Sequence, residues 1–386
     1  MKFKLNTIHS ETYLENIEKQ QKNFSNIIAI WNQDYINAAE FKKGNNERED
    51  SYTYEGFSDE EILYYYLNRQ THFDQEKRIK DASRTLYARD LSQFYFFIKQ
   101  STEFLQQDVK DYVVGQVWRN LRKRHIRNYQ KWLSQEAISY QSKEKYKTST
   151  ISRKLGIIRS YLKWLYEIQY IQEPLHVEIL STTVNKHHKP KRELSYEEVK
   201  QLLHYYRENE INYALLSVLA TTGLRVAEVA HAKWDDLEYD AIRGRYYLKV
   251  DTKGDNERIV SINKEIFNRI AAFRMRRRLP IDIGNRNGGT VFQTKNHTAY
   301  RENYLSQYIS KIIKDTQLPF TENIRITPHF FRHFYVQYLY DYKGLPPHII
   351  AAAVGHKNDR TTKDNYLKQR LTKDNDAGNL ITEDEF

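Results

Sequence analysis

Residues 327–333 read TPHFFRH, and this stretch predicts the start of a helix whose polar side chains share one face. Thr327 is a favourable N-cap residue, and Pro328 suits the first helical position because the N–H that it lacks would be unpaired there. His329 and Arg332 are three residues apart, so their side chains lie on one face of that helix. Since the N-terminal end of a helix attracts anions, both side chains can converge on a single phosphate.

Four further motifs carry groups suited to phosphoryl transfer: TGLRVAE (residues 222–228), TKG (252–254), VGH (354–356) and TTKDNY (361–366). Gly223 predicts a turn that opens a helix beside Arg225, and a guanidinium matches two phosphate oxygens without losing its charge. Lys253 lies in the turn of a predicted hairpin, and His356 follows a glycine at a predicted helix boundary, ten residues before Tyr366. Together the motifs supply a nucleophile, a proton donor and the positive charge that phosphodiester transfer needs.

The order of these motifs resembles the tyrosine recombinases, the family that contains phage and transposon integrases and the Xer-type resolvases. The resemblance implies six catalytic residues: Arg225, Lys253, His329, Arg332, His356 and Tyr366. It implies that Tyr366 attacks a DNA phosphodiester and forms a 3′-phosphotyrosyl bond, which stores the bond energy so that rejoining needs no ATP. Lys253 would protonate the leaving 5′-oxygen, and His356 would donate a hydrogen bond to the phosphate. Glu228 matches the family's acidic partner and would orient Arg225.

Two runs, Tyr246–Asp251 and Arg258–Ile262, predict the strands of an antiparallel hairpin around the turn that contains Lys253. Lys249 and Lys264 are the alternative general acids if the lysine of the family's motif lies elsewhere. The surrounding segments have helical periodicity. We therefore expect a mainly α fold with a small antiparallel β-sheet.

Tyr366 departs from the spacing of many family members, which place the tyrosine nine residues after the second histidine. Residues 361–366 keep the Thr-Thr pair and carry one extra residue. The nearby tyrosines fall on the predicted helix after Arg332, and we interpret them as core or surface residues: Tyr335, Tyr338, Tyr340 and Tyr342. His333 turns partly toward the face of His329 and Arg332, and we interpret it as a residue that packs there or supports the catalytic side chains. Tyr366 therefore remains the predicted nucleophile.

Positive charge is concentrated in the middle of this chain of 386 residues, whose formal net charge is +11. Residues 1–80 carry 11 Lys and Arg against 14 Asp and Glu, whereas residues 81–192 carry 21 against 10. Such a distribution is typical of a protein that holds a polyanion, and DNA is the partner that the resemblance implies. The acidic balance of residues 1–80 favours oligomerisation or packing against the next domain over DNA binding.

Two basic amphipathic helices are predicted in the middle segment, at Trp118–Leu133 and Thr150–Ile171. A run of charge is usually a solvated face, but two such helices ahead of phosphate-directed motifs favour phosphate contact. Residues 181–193 lack apolar periodicity, and their basic side chains suit an extended segment along DNA. We predict twelve DNA contacts: Arg119, Arg122, Lys123, Arg127, Arg153, Lys154, Arg159, Lys163, Lys186, Lys189, Lys191 and Arg192.

These patterns divide the chain into an N-terminal extension (1–80), a helical core-binding domain (81–180), a basic linker (181–193), a catalytic domain (194–370) and a tail (371–386). The resemblance implies the helical core-binding domain and an α+β tyrosine-recombinase catalytic domain. The latter opens with a predicted capping box, Ser195 and Glu198. The tail is acidic, and Leu380, Ile381 and Phe386 would anchor it on a neighbouring subunit, as in the family's complexes. A disordered, solvated tail is the alternative.

The composition excludes several classes of site. The chain has no cysteine, which excludes disulfides and thiolate zinc sites, and the side chains of adjacent His187 and His188 diverge, with no third ligand near. We therefore expect no metal and no cofactor. No apolar run is long enough to span a bilayer, and Met1–Leu5 lacks the start of a signal peptide. We expect a cytoplasmic, bacterial protein without membrane contact, associated with the nucleoid when bound to DNA.

We therefore predict a site-specific recombinase of a mobile element, a transposon or phage-like integrase. It would act on double-stranded DNA with specific recombination sites, as a homotetramer on DNA and as a monomer or weak oligomer when free. The extension of 80 residues favours an integrase over a minimal two-domain resolvase. The alternatives are an Xer-like resolvase of chromosome or plasmid dimers, a type IB topoisomerase, and a non-catalytic DNA-binding protein with a recombinase fold.

Overall fold

The computed structural model describes residues 11–72, 79–139, 142–181, 193–252, 256–284 and 288–376. The chain divides into two compact units, Met1–Lys189 and Pro190–Phe386. Most of the structure is helical, and the second unit contains a three-stranded antiparallel sheet, which confirms the predicted fold class. Within the described ranges, every helix is too short or too polar to cross a membrane.

The helices of the first unit are α1 (Glu11–Ala29), α2 (Gln33–Arg48), α3 (Asp59–Asn68), α4 (Asp81–Lys99), α5 (Thr102–Asp108), α6 (Lys123–Gln135) and α7 (Thr148–Glu167), and a short 3-10 helix (Leu175–Glu178) follows. The second predicted basic helix is present as α7. The first begins later than predicted, at Lys123, because Trp118 belongs to a turn in the core. Trp118 is fully buried, and its indole Nε1 donates to the backbone oxygen of Asp59 at 3.3 Å.

One hydrophobic core joins the helices of the first unit. It includes Ile62 and Leu63 of α3, Tyr129 of α6 and Leu162 of α7, all of them fully or almost fully buried. Side chains from both sides of residue 80 therefore pack in the same core. The boundary between the predicted extension and the core-binding domain stays a prediction.

The second unit contains helices α8 (Tyr196–Tyr205), α9 (Glu210–Thr222), α10 (Val226–His231), α11 (Lys264–Arg276), α12 (Glu302–Asp315), α13 (Pro328–Asp341), α14 (Pro347–Ala353), α15 (Asp359–Thr362) and α16 (Lys368–Asp374). Short 3-10 helices cover Trp234–Asp236 and Pro319–Thr321, and a π-helical turn covers Lys363–Leu367. The predicted capping box opens α8: the Glu198 amide donates to Ser195 Oγ at 3.2 Å, and the Ser195 amide donates to Glu198 Oε2 at 2.7 Å.

The sheet consists of β1 (Leu237–Asp240), β2 (Arg245–Thr252) and β3 (Asn256–Ile262), with β2 in the centre. Strands β2 and β3 form the predicted hairpin. Strand β1 was not predicted, because a strand of four residues is too short for a clear alternation. Leu237 pairs with Leu248, which pairs with Val260, and all three side chains are buried in the core of this unit.

Candidate phosphoryl-transfer site

Arg332 of α13 lies at the centre of the candidate site and is only 1% exposed. Its Nη1 donates to the backbone oxygen of Gly223 at 2.8 Å, and its Nη2 donates to the backbone oxygen of Val354. Its Nε lies 3.4 Å from the hydroxyl of Tyr366, and Nη2 lies 3.1 Å from Nε2 of His356. The backbone oxygens fix the plane of the guanidinium, so its direction does not depend on a ligand.

The turn before α10 places Arg225. Gly223 ends α9 with φ of +59°, in the left-handed region, and a Cβ atom there would lie 2.3 Å from the ring of Tyr335. Glycine is therefore required both by the backbone and by the close packing. Arg225 is the N-cap residue of α10, as the predicted glycine turn requires, and its side chain is 35% exposed.

Glu228 holds Arg225 in place, as the resemblance implied. Its Oε1 accepts from Arg225 Nη1 at 2.6 Å, and its Oε2 accepts from the Arg225 backbone amide at 2.8 Å. Burial alone would raise the pKa of Glu228, but the positive charge of Arg258 and the Arg225 amide outweigh it, so the pKa lies below the ordinary value. The carboxylate therefore stays charged and remains an acceptor for both arginines.

Arg258 is a partner of Glu228 that the sequence analysis missed. Its Nη2 lies 2.9 Å from Glu228 Oε2, and both side chains are buried. A signal was present in the sequence, because Arg258 alternates with Val260 and Ile262 on the inward face of the predicted strand. A charged residue at such a position is expected to have a specific buried partner.

His356 is neutral in this arrangement. Burial, and then the charges of Arg332 and Arg225, lower the pKa of His356 to about 4. Arginine can only donate, so Nε2 of His356 accepts from Arg332, and Nδ1 carries the proton and donates to Thr362 Oγ1 at 2.7 Å. Donation from Nε2 to a phosphate, the role implied by the resemblance, would require a proton that this tautomer does not carry there.

Tyr366 lies among three histidine rings. Its side chain is largely buried, and the ring centroids of His333, His356 and His329 lie 4.3, 5.3 and 5.9 Å from its own. His333, which we interpreted as a residue that packs beside or supports the catalytic side chains, therefore contacts the phenol ring more closely than His329 does. Both histidines lie on α13, whose N-cap and first residue are the predicted Thr327 and Pro328.

The backbone at Tyr366 explains its unusual spacing. Tyr366 lies in the π-helical turn Lys363–Leu367, between α15 and α16. A π turn contains one residue more than an α turn, so it takes up the extra residue that separates Tyr366 from His356. The phenol consequently reaches Arg332 although the spacing is ten residues rather than nine.

The predicted general acid, Lys253, lies outside the described residues. Of its two alternatives, Lys249 is half-exposed and pairs with Glu257 across the hairpin at 2.8 Å. The hydrogen bond that Lys249 donates to Glu257, and then the charge of Glu257, raise the pKa of Lys249. Lys264 is the exposed first residue of α11. The assignment to Lys253 stays a prediction.

The predicted DNA contacts have different environments. Four of them form weak ion pairs near the surface: Arg122 with Glu173 (3.7 Å), Lys123 with Glu178 (3.9 Å), Arg127 with Glu178 (3.5 Å) and Lys163 with Glu167 (3.5 Å). Since ion pairs exposed to water contribute little to stability, a DNA phosphate can replace the carboxylate as the partner of the basic side chain. The guanidinium of Arg119 lies 4.8 Å from the ring centroid of Tyr170.

Lys154 does not fit its predicted role. It is 4% exposed, and its ammonium donates to Asp90 at 2.7 Å and to Gln93 at 2.8 Å. Arg153 also binds Asp90, and Arg159 donates to the backbone oxygen of Ile179. Lys154 is therefore a structural residue of the first unit rather than a phosphate contact. The four predicted contacts of the linker lie outside the described residues: Lys186, Lys189, Lys191 and Arg192.

The described part of the tail continues the fold of the second unit. Leu371 lies in α16 and packs against a small hydrophobic cluster around Val336. Tyr340 donates to Asp374 at 2.6 Å, and this hydrogen bond fastens the end of α16 to α13. The predicted anchors Leu380, Ile381 and Phe386 lie outside the described residues.

Comparisons with known proteins indicate to which proteins the chain is similar. Residues 192–372 match the model of the phage integrase family. The chain is 24% identical over 294 residues to tyrosine recombinase XerC of Natranaerobius thermophilus, covering 75% of this chain and 88% of the relative. It is 26% identical over 308 residues to tyrosine recombinase XerD of Oceanobacillus iheyensis, covering 78% and 93%.

A solved structure has a similar fold. The XerH site-specific recombinase bound to a palindromic difH substrate aligns with a TM-score of 0.56 at 15% identity, over 93% of this chain and 95% of that chain. The fold therefore agrees with what the family model and the relatives indicate from sequence. Residues 192–372 are therefore a phage integrase family domain, and about three quarters of the chain is similar to tyrosine recombinases.

Proposed function

We propose that this protein cuts and rejoins double-stranded DNA at specific sites, with Tyr366 as the nucleophile and without ATP. The observation that carries the proposal is the distance of 3.4 Å between the Tyr366 hydroxyl and Nε of Arg332. Arg332 is a preorganised charge, because backbone oxygens hold its guanidinium. A nucleophile beside such a charge is well placed to attack a phosphate that the same guanidinium binds.

The other predicted catalytic residues suit the remaining steps. As Tyr366 Oη bonds to phosphorus, the bond to the 5′-oxygen breaks, and Lys253 gives its proton to that oxygen. Arg225 and Arg332 stabilise the negative charge on the non-bridging oxygens, a role for which guanidinium groups are suited. The proton of the phenol passes to one of the imidazoles around the ring or to water. Rejoining is the same sequence in reverse, with a DNA 5′-hydroxyl as the attacking group.

The expected partner is a pair of DNA duplexes, each with a recombination site. Exchange between two duplexes breaks four strands, and each copy of this chain carries one predicted nucleophile. We therefore expect four copies on the DNA. Contacts to the phosphates would come from the accessible basic residues of α6 and α7, including Arg127 and Lys163.

An Xer-like resolvase now has more support than a mobile-element integrase. Two similar proteins are named XerC and XerD, and the XerH chain aligns with 93% of this chain. The extra length of residues 1–80 therefore no longer favours an integrase. We propose resolution of chromosome or plasmid dimers as the biological role, with integration of a mobile element as the competing proposal.

The test uses a pool of duplexes with a randomised central segment, each nicked on one strand so that a cleaved fragment diffuses away. Covalent protein–DNA adducts are collected after denaturation in SDS, and the attached DNA is sequenced. We expect adducts in the presence of EDTA, because arginine side chains supply the charge that stabilises the phosphate. A recovered site at a single chromosomal locus would support the resolvase, and one at the ends of an element would support the integrase.

Tyr366→Phe is the background control for this selection. Sequence-specific DNA binding without adducts from the unmodified protein would contradict the proposal and support a non-catalytic DNA-binding protein. Relaxation of supercoiled DNA without any requirement for the selected site would instead indicate a topoisomerase.

A further inference from the structure

Arg258 is a buried arginine on β3 whose contacts extend to two separate parts of the site. Its side chain is 7% exposed. Nη2 lies 2.9 Å from Oε2 of Glu228, and Nη1 donates to the backbone oxygen of Ala353. One guanidinium therefore connects β3 with α10 and with the last residue of α14.

The first contact reaches Arg225 through Glu228. The Glu228 side chain is 3% exposed, so its orientation is set by its hydrogen bonds to Arg225 and Arg258 rather than by water. Without Arg258, a buried carboxylate would keep one of its two arginine partners and could turn toward it. The direction of the Arg225 guanidinium would then change, because a buried charge that has lost a partner reorganises or is destabilised.

The second contact reaches His356 through the end of α14. The last carbonyl groups of a helix have no partner within the helix, and cations near them interact favourably with their partial negative charge. Here the oxygen of Ala353 accepts from Arg258, and the oxygen of Val354 accepts from Arg332. His356 follows two residues later, so these two arginines hold the backbone from which its imidazole projects.

We propose that Arg258 is a positioning residue for cleavage, which orients Arg225 through Glu228 and His356 through the end of α14. Its two terminal nitrogens bind Glu228 and Ala353, so it acts through these neighbours rather than on the phosphate. One buried side chain thereby orients Arg225 and His356, which come from distant parts of the chain. The inference rests on the proposed function, since its effect is on cleavage of DNA.

The experiment compares four proteins on one nicked duplex recovered from the randomised pool: the unmodified protein, Arg258→Met, Glu228→Gln and the double variant. Rates of covalent adduct formation are measured together with DNA affinity and melting temperature. We expect each single variant to slow adduct formation by about tenfold or more, because small misplacements of catalytic groups have effects of that size. The double variant should be no slower than the slower single variant, because both changes break the same connection.

Arg243→Met is the matched control. Arg243 is an exposed arginine at the turn between β1 and β2, where it pairs with Asp240 at 2.7 Å. We expect it to retain the rate of the unmodified protein. If Arg258→Met does not fold, Arg258→Lys replaces it in the same four-protein comparison, since lysine keeps the charge but lacks the two-pronged donor geometry.

Two results would overturn the positioning role. One is a rate for the Arg258 variant equal to that of the unmodified protein. The other is a double variant whose loss of rate equals the product of the two single losses, which is the behaviour of two residues that contribute independently to the rate of cleavage. Failure of the proposed function is distinguishable, because the unmodified protein itself would then form no adduct with any duplex of the pool.

Discussion

The hydroxyl of Tyr366 and Nε of Arg332 are 3.4 Å apart, although 34 residues separate them along the chain. Arg332 comes from the first turns of α13, and Tyr366 comes from the π-helical turn after α15. The contact places the predicted nucleophile beside a buried positive charge before any DNA is bound.

Tyr366→Phe should abolish covalent protein–DNA adducts while DNA affinity stays unchanged. The substitution removes the attacking oxygen and keeps the ring that packs among His329, His333 and His356. Adducts are measured by SDS gel electrophoresis, and affinity is measured by mobility shift. Tyr342→Phe, which changes an exposed tyrosine at the end of α13, should behave like the unmodified protein. Adducts that persist in Tyr366→Phe would place the nucleophile elsewhere.

Arg225→Ala and Arg332→Ala should each slow cleavage by at least about a hundredfold, the usual effect of losing one preorganised charge donor. Arg332→Ala should lower the melting temperature more than Arg225→Ala does, because Arg332 is buried and binds the backbone oxygens of Gly223 and Val354. Arg225, by contrast, is partly exposed, and its partner Glu228 keeps Arg258. Single-turnover cleavage and thermal melting separate the two effects. An unchanged cleavage rate in Arg225→Ala would contradict the role of Arg225 at the phosphate.

Protonation of His356 should destabilise the fold below neutral pH. The pKa of His356 is lowered to about 4, whereas an unfolded histidine titrates near 6.5, so the unfolded chain binds the proton first as pH falls. The stabilisation that comes from a neutral His356 is therefore complete above about pH 6.5. Below that pH the free energy of unfolding decreases toward pH 4, by at most about 1.4 kcal/mol per pH unit.

The measurement that isolates His356 is urea unfolding of the unmodified protein and of His356→Asn at pH 7 and pH 5. The difference in unfolding free energy between the two proteins should become smaller at pH 5. Because both proteins share all other titrating groups, their contributions cancel in this difference. A difference that is the same at both pH values would show that His356 is not held neutral.

Arg274→Met should destabilise the second unit by about 3 kcal/mol or more. Arg274 is fully buried and donates to four backbone oxygens, those of Pro280, Gly288, Thr290 and Val291. Its loss removes a donor from all four oxygens, although those of Gly288 and Thr290 keep a second donor, Nε2 of Gln293. Arg276→Met is the control, because Arg276 is exposed and pairs with the exposed side chain of Glu210. It should change the free energy of unfolding by less than about 0.5 kcal/mol. Chemical denaturation of both variants checks the contrast.

DNA affinity should fall steeply with salt, and two accessible residues should contribute to that dependence. Arg127→Ala and Lys163→Ala should each weaken binding and reduce the slope of log K against log salt by about 0.9. Lys22→Ala, at an exposed position of α1, serves as the control and should leave the slope unchanged. If all three variants have the same slope as the unmodified protein, DNA does not bind along this face of α6 and α7.

A truncation at residue 80 is not a clean test of DNA binding. On charge alone, removal of residues 1–80 should weaken binding only slightly. However, Ile62 and Leu63 lie in the core that contains Leu162, so the truncation would expose apolar surface. The role of the first helices is better tested by surface substitutions that leave this core intact.

Local sequence was sufficient for the features that depend on a few neighbouring residues. The capping box of Ser195 and Glu198, the hairpin of β2 and β3, and the start of α13 at Pro328 all follow from local rules. The contact of Glu228 with Arg225 is also local, since the residues are three apart at a helix start. The family resemblance, carried by short motifs, was sufficient for the fold class.

Residues that look alike in the sequence have different roles in the folded protein, and only the tertiary contacts distinguish them. Lys154 and Lys163 both lie on the basic helix α7, yet Lys154 binds Asp90 of α4 in the core whereas Lys163 is accessible. Arg258 binds Glu228 and Ala353, which are far from it in the sequence. The π turn that brings Tyr366 to Arg332 likewise depends on packing against α13. The physical reason is that burial and charge pairing depend on which segments meet, and a local pattern does not contain that information.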